Sequence, residues 1–247
     1  MTDLDYALLG LTGLLTSMLT AMIGFGGGTI LIGVLLLFMS PAVAIPFHGW
    51  VQLVANGWRV FLFRRHIGWH LVGRFSLLLP FGVAVGLWLF QALPKESIQV
   101  LIGCVVLFSL FARQIRNFRG KELPLGAFVP LGFVVGILNM VAGVVAPLLG
   151  VMVIRKELDR ASVVGTLGFF ALAGHGLKIV AFALAGFRVG EHLPALAVMV
   201  PTVLLGGLAG KWLLNWFNER LFMIVFQVVL VLLALKLIVW EGIVKAL

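Results

Sequence analysis

Apolar stretches follow one another along the whole chain, at roughly 4–23, 28–39, 42–63, 71–92, 98–111, 125–141, 144–154, 161–187, 193–214 and 221–239. Short polar connections separate them. Several reach the ~18–20 residues that a helix needs to cross a hydrocarbon core about 30 Å thick. The stretches at 28–39 and 144–154 are too short to cross alone. The runs are continuous, whereas a membrane β-barrel alternates over segments of ~10 residues. The pattern therefore predicts an all-α polytopic membrane protein.

Composition agrees. Of 247 residues, 62% are hydrophobic and 11% are charged, where a soluble domain carries about 25% charged residues. The net charge of +9 does not imply nucleic acid, because the basic residues fall in short connections, as in cytoplasmic loops. The single Cys104 lies in an apolar run and has no second cysteine to pair with. The start, MTDLDYALLG, has acids and no Lys or Arg. A secretory signal begins with basic residues, so this segment is read as part of the mature protein.

The order of motifs repeats. ANGWRVF at 55–61 aligns with GHGLKIV at 174–180, an offset of 119 that pairs Asn56 with His175, Arg59 with Lys178 and Gly24 with Gly143. GVAVGLW at 82–88 aligns with GGLAGKW at 206–212, an offset of 124 that pairs Gly82 with Gly206, Gly86 with Gly210 and Trp88 with Trp212. Two copies of one unit are expected, 1–113 and 125–247, joined by a basic cytoplasmic linker at 114–124.

Lys and Arg favour the cytoplasmic side. Eight simple spans divide the basic residues ten against six. Letting the first two segments of each copy form a hairpin that returns to its own side makes the division twelve against four. This favours two inverted repeats, each a broken, re-entrant helical hairpin followed by three spanning helices. The basic loops are then cytoplasmic, and both termini lie outside a bacterial-type inner membrane. Inverted repeats with broken helices are a transporter plan that places substrate near the midplane.

The stretch IGFGGGTILIG at 23–33 holds glycines at 24, 26, 27 and 28. A dinucleotide fingerprint needs a third glycine where Thr29 stands, and a soluble βαβ unit around it. The Gly-Lys-Ser/Thr of a phosphate loop is absent. Gly24 and Gly28 could form a helix-packing seam, but Gly26 and Gly27 add nothing to one. A helix break accounts for all four. It predicts a turn whose following helix starts near Thr29 as N-cap, with N–H groups and a positive dipole end facing an anion. The matched stretch MVAGVVAPLLG at 140–150 has Gly143 and Pro147 without the glycine cluster.

The third segment carries His48, Gln52, Asn56 and Arg59 at spacings that share one helical face. Its counterpart carries His175 and Lys178. Ionisable residues inside a membrane mark function by default, although Arg59 lies near Arg64 and could snorkel. Every Asp and Glu falls at a segment end or in a loop. Matched cations without a buried acid suit an anionic substrate and leave His48 and His175 as the titrating groups. The predicted binding set is Gly26, Gly27, Gly28, Thr29, His48, Gln52, Asn56, Arg59, His175 and Lys178. His66 and His70 have no third ligand, so no metal site is expected, and no cofactor. Ser17, Ser76 and Ser109 have no buried acid–base partner, so an enzyme is not expected.

GFGGG at 24–28, together with a duplicated unit of this size and short basic loops, resembles the sulfite exporter TauE/SafE family over essentially the whole chain. The resemblance implies a membrane transporter of sulfur-containing anions such as sulfite and organosulfonates, with Gly24, Gly26, Gly27 and Gly28 as the shared motif. In the second copy GVVAP departs from that motif. The expected function is export of a small sulfur anion by alternating access. A passive anion channel and an intramembrane enzyme are the alternatives, and the lipid bilayer and a small anion are the expected partners.

Overall fold

A computed structural model describes residues 2–24, 26–94, 96–105, 107–108, 122–143, 149, 152–153, 155–214, 227–228, 231–232, 234–236 and 238–239. The expected linker at 114–124 lies mostly outside these residues. So do Pro147, most of the short second segment (144–154) of the second predicted hairpin, and most of the last apolar segment.

Among the described residues the secondary structure is helical throughout. The helices are α1 (Asp3–Ile23), α2 (Gly27–Phe38), α3 (Pro41–Leu62), α4 (Trp69–Ala92), α5 (Glu96–Val105), α6 (Phe128–Val141), α7 (Arg160–Leu184) and α8 (Leu193–Leu213). Four helical stretches, Asp3–Ile23, Trp69–Ala92, Arg160–Leu184 and Val189–Leu213, are long and apolar enough to cross a membrane. The chain is a multi-pass membrane protein.

α1 opens on a capping box. Thr2 Oγ1 accepts from the Asp5 N–H at 3.3 Å, and Asp5 Oδ2 accepts from the Thr2 N–H at 2.6 Å. Two acids sit in its first turn, where the helix dipole favours negative charge. It ends at Gly24, whose φ of 94° is left-handed and whose N–H donates to Thr20 O at 2.8 Å. Gly26 has a φ of 98°, so two of the motif's glycines hold backbone shapes that L-residues avoid. α2 then runs back along α1. A methyl group on Gly27 would collide with Thr16 O and Thr20 Oγ1. The first hairpin is thus a helix break, with one glycine of the cluster fixing how closely α2 lies on α1.

The most extensive helix pairings are α1 with α8 and α4 with α6; α3 packs on α7, α4 on α7 and α3 on α8. Exchanging α1 with α6, α3 with α7 and α4 with α8 leaves this set unchanged. The register agrees at the level of single residues. A methyl on Gly82 would strike Phe133 O, and one on Gly206 would strike Leu14 O. Gly86 meets Ile137 backbone, and Gly210 meets Met18 backbone. Phe133 and Ile137 lie 119 positions after Leu14 and Met18, the offset already found between the copies. Gly143 has a φ of 69°, so the matched helices α1 and α6 both give way to a left-handed glycine. Small residues permit such backbone approach in membranes, where packing replaces the hydrophobic effect between helices.

One apolar core fills the space among α1, α2, α3 and α8 around Phe47, Leu31 and Met199. A second lies among α4, α6 and α7, where the rings of Phe75 and Phe170 stack at 4.1 Å. Trp88 and Trp212, matched between the copies, are both exposed, as expected for rings that face lipid and its interface.

Candidate functional site

Between the two cores lies a small cavity of about 40 Å³. α1 contributes Thr20, α2 contributes Gly28 and Thr29, and α3 contributes His48, Gln52, Asn56 and Arg59. α6 contributes Asn139, and α7 contributes Gly174 and His175. The four polar residues predicted to share one face of α3 do so, and all are buried.

The α3 stripe is internally bonded. Asn56 Nδ2 donates to Gln52 O at 2.7 Å and to Gln52 Oε1 at 2.9 Å. Asn56 Oδ1 accepts from Arg59 Nη2 at 2.5 Å. Arg59 Nη1 reaches the carbonyls of Thr20 at 3.4 Å and Gly24 at 3.3 Å. The guanidinium is therefore turned inward onto the C-terminus of α1, and only 4% of the residue is exposed. A snorkelling arginine would point the other way. Arg160, at the start of α7, adds a bond to Met22 O at 3.0 Å. Two guanidinium groups thus reach carbonyls at the end of α1, Thr20 O already bonded to the Gly24 N–H and Met22 O and Gly24 O beyond it, where a cation also suits the dipole. Arg59 Nε is left without a partner.

His48 Nε2 lies 3.0 Å from Gly28 O. A carbonyl only accepts, so Nε2 carries the hydrogen and Nδ1 presents a lone pair. That Nδ1 is buried and unbonded. His175 stands edge-on to His48, with ring centroids 5.4 Å apart. Lys178 is 0% exposed and its Nζ has no hydrogen-bond partner. Its stem crosses α3 at Gly49, the residue after His48. Every Asp and Glu among the described residues except the half-buried Asp5 is exposed, and none lines the cavity.

The glycine turn differs from expectation in one respect. Gly26, not Thr29, is the N-cap of α2, and it makes no side-chain cap bond. The two left-handed glycines complete the turn early, so the helix starts at Gly27. Thr29 is its third residue, with its N–H bonded to Gly26 O at 3.0 Å. Its hydroxyl is buried, unbonded and at the cavity wall. The N–H groups of Gly27 and Gly28 find no acceptor among the described residues, as the first turn of a helix requires.

Seven of the ten predicted residues line the cavity: Gly28, Thr29, His48, Gln52, Asn56, Arg59 and His175. Gly26 and Gly27 form the turn behind Gly28, and Lys178 lies behind the two histidines. Two polar lining residues escaped the sequence reading, Thr20 and Asn139. They are 119 positions apart, so the repeat register itself was the signal that could have found them.

The sequence matches the family model described as Sulfite exporter TauE/SafE over residues 9–237. Comparisons with curated proteins and with solved structures find no match.

Proposed function

The chain belongs to the sulfite exporter TauE/SafE family of membrane transporters, and from that premise we propose that it exports a small sulfur oxyanion or organosulfonate by alternating access. The observation that carries this reading is the set of buried donors without partners. Arg59 Nε, Thr29 Oγ1 and Lys178 Nζ are all unbonded, and no carboxylate among the described residues lines the cavity. An unpaired buried ion costs several kcal/mol. An entering anion supplies the missing counter-charge, and the first N–H groups of α2 add a favourable dipole end.

Gly28 sits opposite His48 and Gln52, partway along the 22-residue α3, which suits a site near the bilayer midplane. The two halves act as inverted repeats about it, a reading supported by the charge division and by the exchange symmetry of the helix pairings. Arg59 and the α2 turn hold the negative end, Gln52 and His175 supply further hydrogen bonds, and Lys178 balances charge from behind the histidines. The basic loops face the cytoplasm.

Proteoliposomes loaded with labelled sulfite or sulfoacetate test this. Wild type accumulates the anion against its gradient, and Lys178→Gln lowers the flux by at least about tenfold, the effect of about 1.4 kcal/mol. Unchanged flux in well-expressed Lys178→Gln overturns the role of the cation. Flux that never exceeds equilibration makes the protein a channel, and a chemically altered anion makes it an enzyme.

A further inference from the structure

Donors alone do not describe the cavity. Asn139, on α6, is 2% exposed, and its Oδ1 is buried without a partner. Its amide packs against α7 at Gly174, where a methyl group would stand 3.0 Å from Nδ2. The second bare acceptor is His48 Nδ1, fixed as a lone pair by the bond from Nε2 to Gly28 O. It lies beside Gly143, four residues after Asn139 on the same segment. At the matched position on α1, the Thr20 hydroxyl donates to Thr16 O at 2.7 Å and is thereby held to its own helix, whereas the Asn139 amide oxygen has no such bond. The cavity is therefore lopsided. Arg59 and the α2 turn give one end its donors, and Asn139 and His48 give the α6 side two acceptors.

A fully deprotonated, donor-free anion can satisfy the first end only. Buried polar groups are bonded in native structures, and leaving one bare is unfavourable. We propose that Asn139 is a substrate-contacting residue that selects anions carrying a hydrogen-bond donor. The class comprises hydroxyl- or N–H-bearing sulfonates and singly protonated oxyanions. This rests on the anion reading above and narrows it. The negative end of the ligand lies toward Arg59 and its donor toward Asn139 Oδ1.

The test compares two sulfonates of equal size, 2-hydroxyethanesulfonate and propane-1-sulfonate, binding to the purified full-length protein by calorimetry. Wild type is expected to prefer the hydroxyl compound by about tenfold, the worth of one good buried hydrogen bond. Asn139→Leu brings the ratio to about one or below, while propane-1-sulfonate binding is kept. Asn139→Asp keeps an acceptor. It retains the preference but binds both anions more weakly, because it adds a negative charge. Equal binding of the two sulfonates by wild type overturns the inference and leaves the anion site standing. So does an undiminished preference in Asn139→Leu. No binding of either sulfonate, or of sulfite, by wild type overturns both readings. The wild-type ratio stands on its own should a variant fail to fold.

Discussion

Arg59 passes directly over Gly168, where a methyl group would stand 2.8 Å from Nε. Lys178 does the same at Gly49, where a methyl would stand 2.9 Å from Cδ. Gly49 and Gly168 are 119 positions apart, like the two cations. Each cation is threaded past a glycine of the other half. Gly168→Ala and Gly49→Ala should therefore displace side-chain atoms rather than backbone. The expected result is anion affinity reduced by about tenfold, or about 1.4 kcal/mol, with little change in thermal stability. Calorimetry and a melting curve on the same detergent sample check both halves of that statement.

The seam glycines should behave in the opposite way. At Gly82, Gly132 and Gly206 an added methyl meets a backbone carbonyl of the partner helix, which cannot swing aside. Overpacking of this kind costs about 1–3 kcal/mol. Gly82→Ala and Gly206→Ala should lower the melting temperature by similar amounts, since they occupy matched places. Any ligand bound by the surviving folded fraction should keep its affinity.

Much of this was legible in the sequence, and the reasons differ from residue to residue. The α1–α2 break could be read because glycines clustered in an apolar run have few other uses. The α3 stripe could be read because four polar residues at helical spacing stand out against Leu and Val. Asn139 could not be read in that way. It is a single polar residue on α6, and in lipid the outer face of a helix is as apolar as its inner face. Periodicity therefore says little about which side meets a cavity. The N-cap was misplaced because Thr is a good capping residue, whereas two left-handed glycines put the cap at Gly26, three residues earlier. That Lys178 sits behind the histidines rather than on the cavity wall depends on its passage over Gly49. That contact joins the two halves and has no local signal.

Arg59→Lys should not be a mild change. The guanidinium spans Thr20 O, Gly24 O and Asn56 Oδ1 at once. A single ammonium nitrogen lacks the reach and the planar fork of the guanidinium. The α1 terminus should lose about 1.5 kcal/mol of stabilisation per lost charged bond, the lower end of the range for such bonds. Flux should fall more steeply than in Gly168→Ala. Hydrogen exchange at the N–H groups of 24–28 would show whether the turn loosens.

Asp159 gives a pH test outside the membrane segments. It caps α7, accepting from the Ser162 N–H at 2.7 Å. Hydrogen bonds from the Ser162 side chain and then its backbone hold the carboxyl below its ordinary range. A lowered carboxyl stabilises the fold fully above its unfolded value, near pH 4. That contribution disappears as pH falls through the lower folded value. Asp159→Ala should cost about 1 kcal/mol at neutral pH. Melting curves of variant and wild type should converge in strong acid. A difference that persists there would assign the effect to something other than the cap.

Sidedness can be measured with cysteines placed at Arg155 and Arg188 in a Cys104→Ser background, since Cys104 is exposed. The inverted arrangement requires position 155 to react from the cytoplasm and position 188 from outside. The reverse result restores eight simple spans.

The pairing of two buried cations, with no carboxylate beside them among the described residues, has an electrical consequence. A charge moved across a membrane gains or loses about 2.3 kcal/mol per 100 mV. With both cations charged, an empty site is pulled toward the negative, cytoplasmic side, where it meets the anion to be exported. A monoanion in the site cancels one of the two charges and halves the pull of the field. Voltage would then recover the empty carrier rather than push the cargo, and proteoliposomes held at an inside-negative potential should turn over faster as that potential rises.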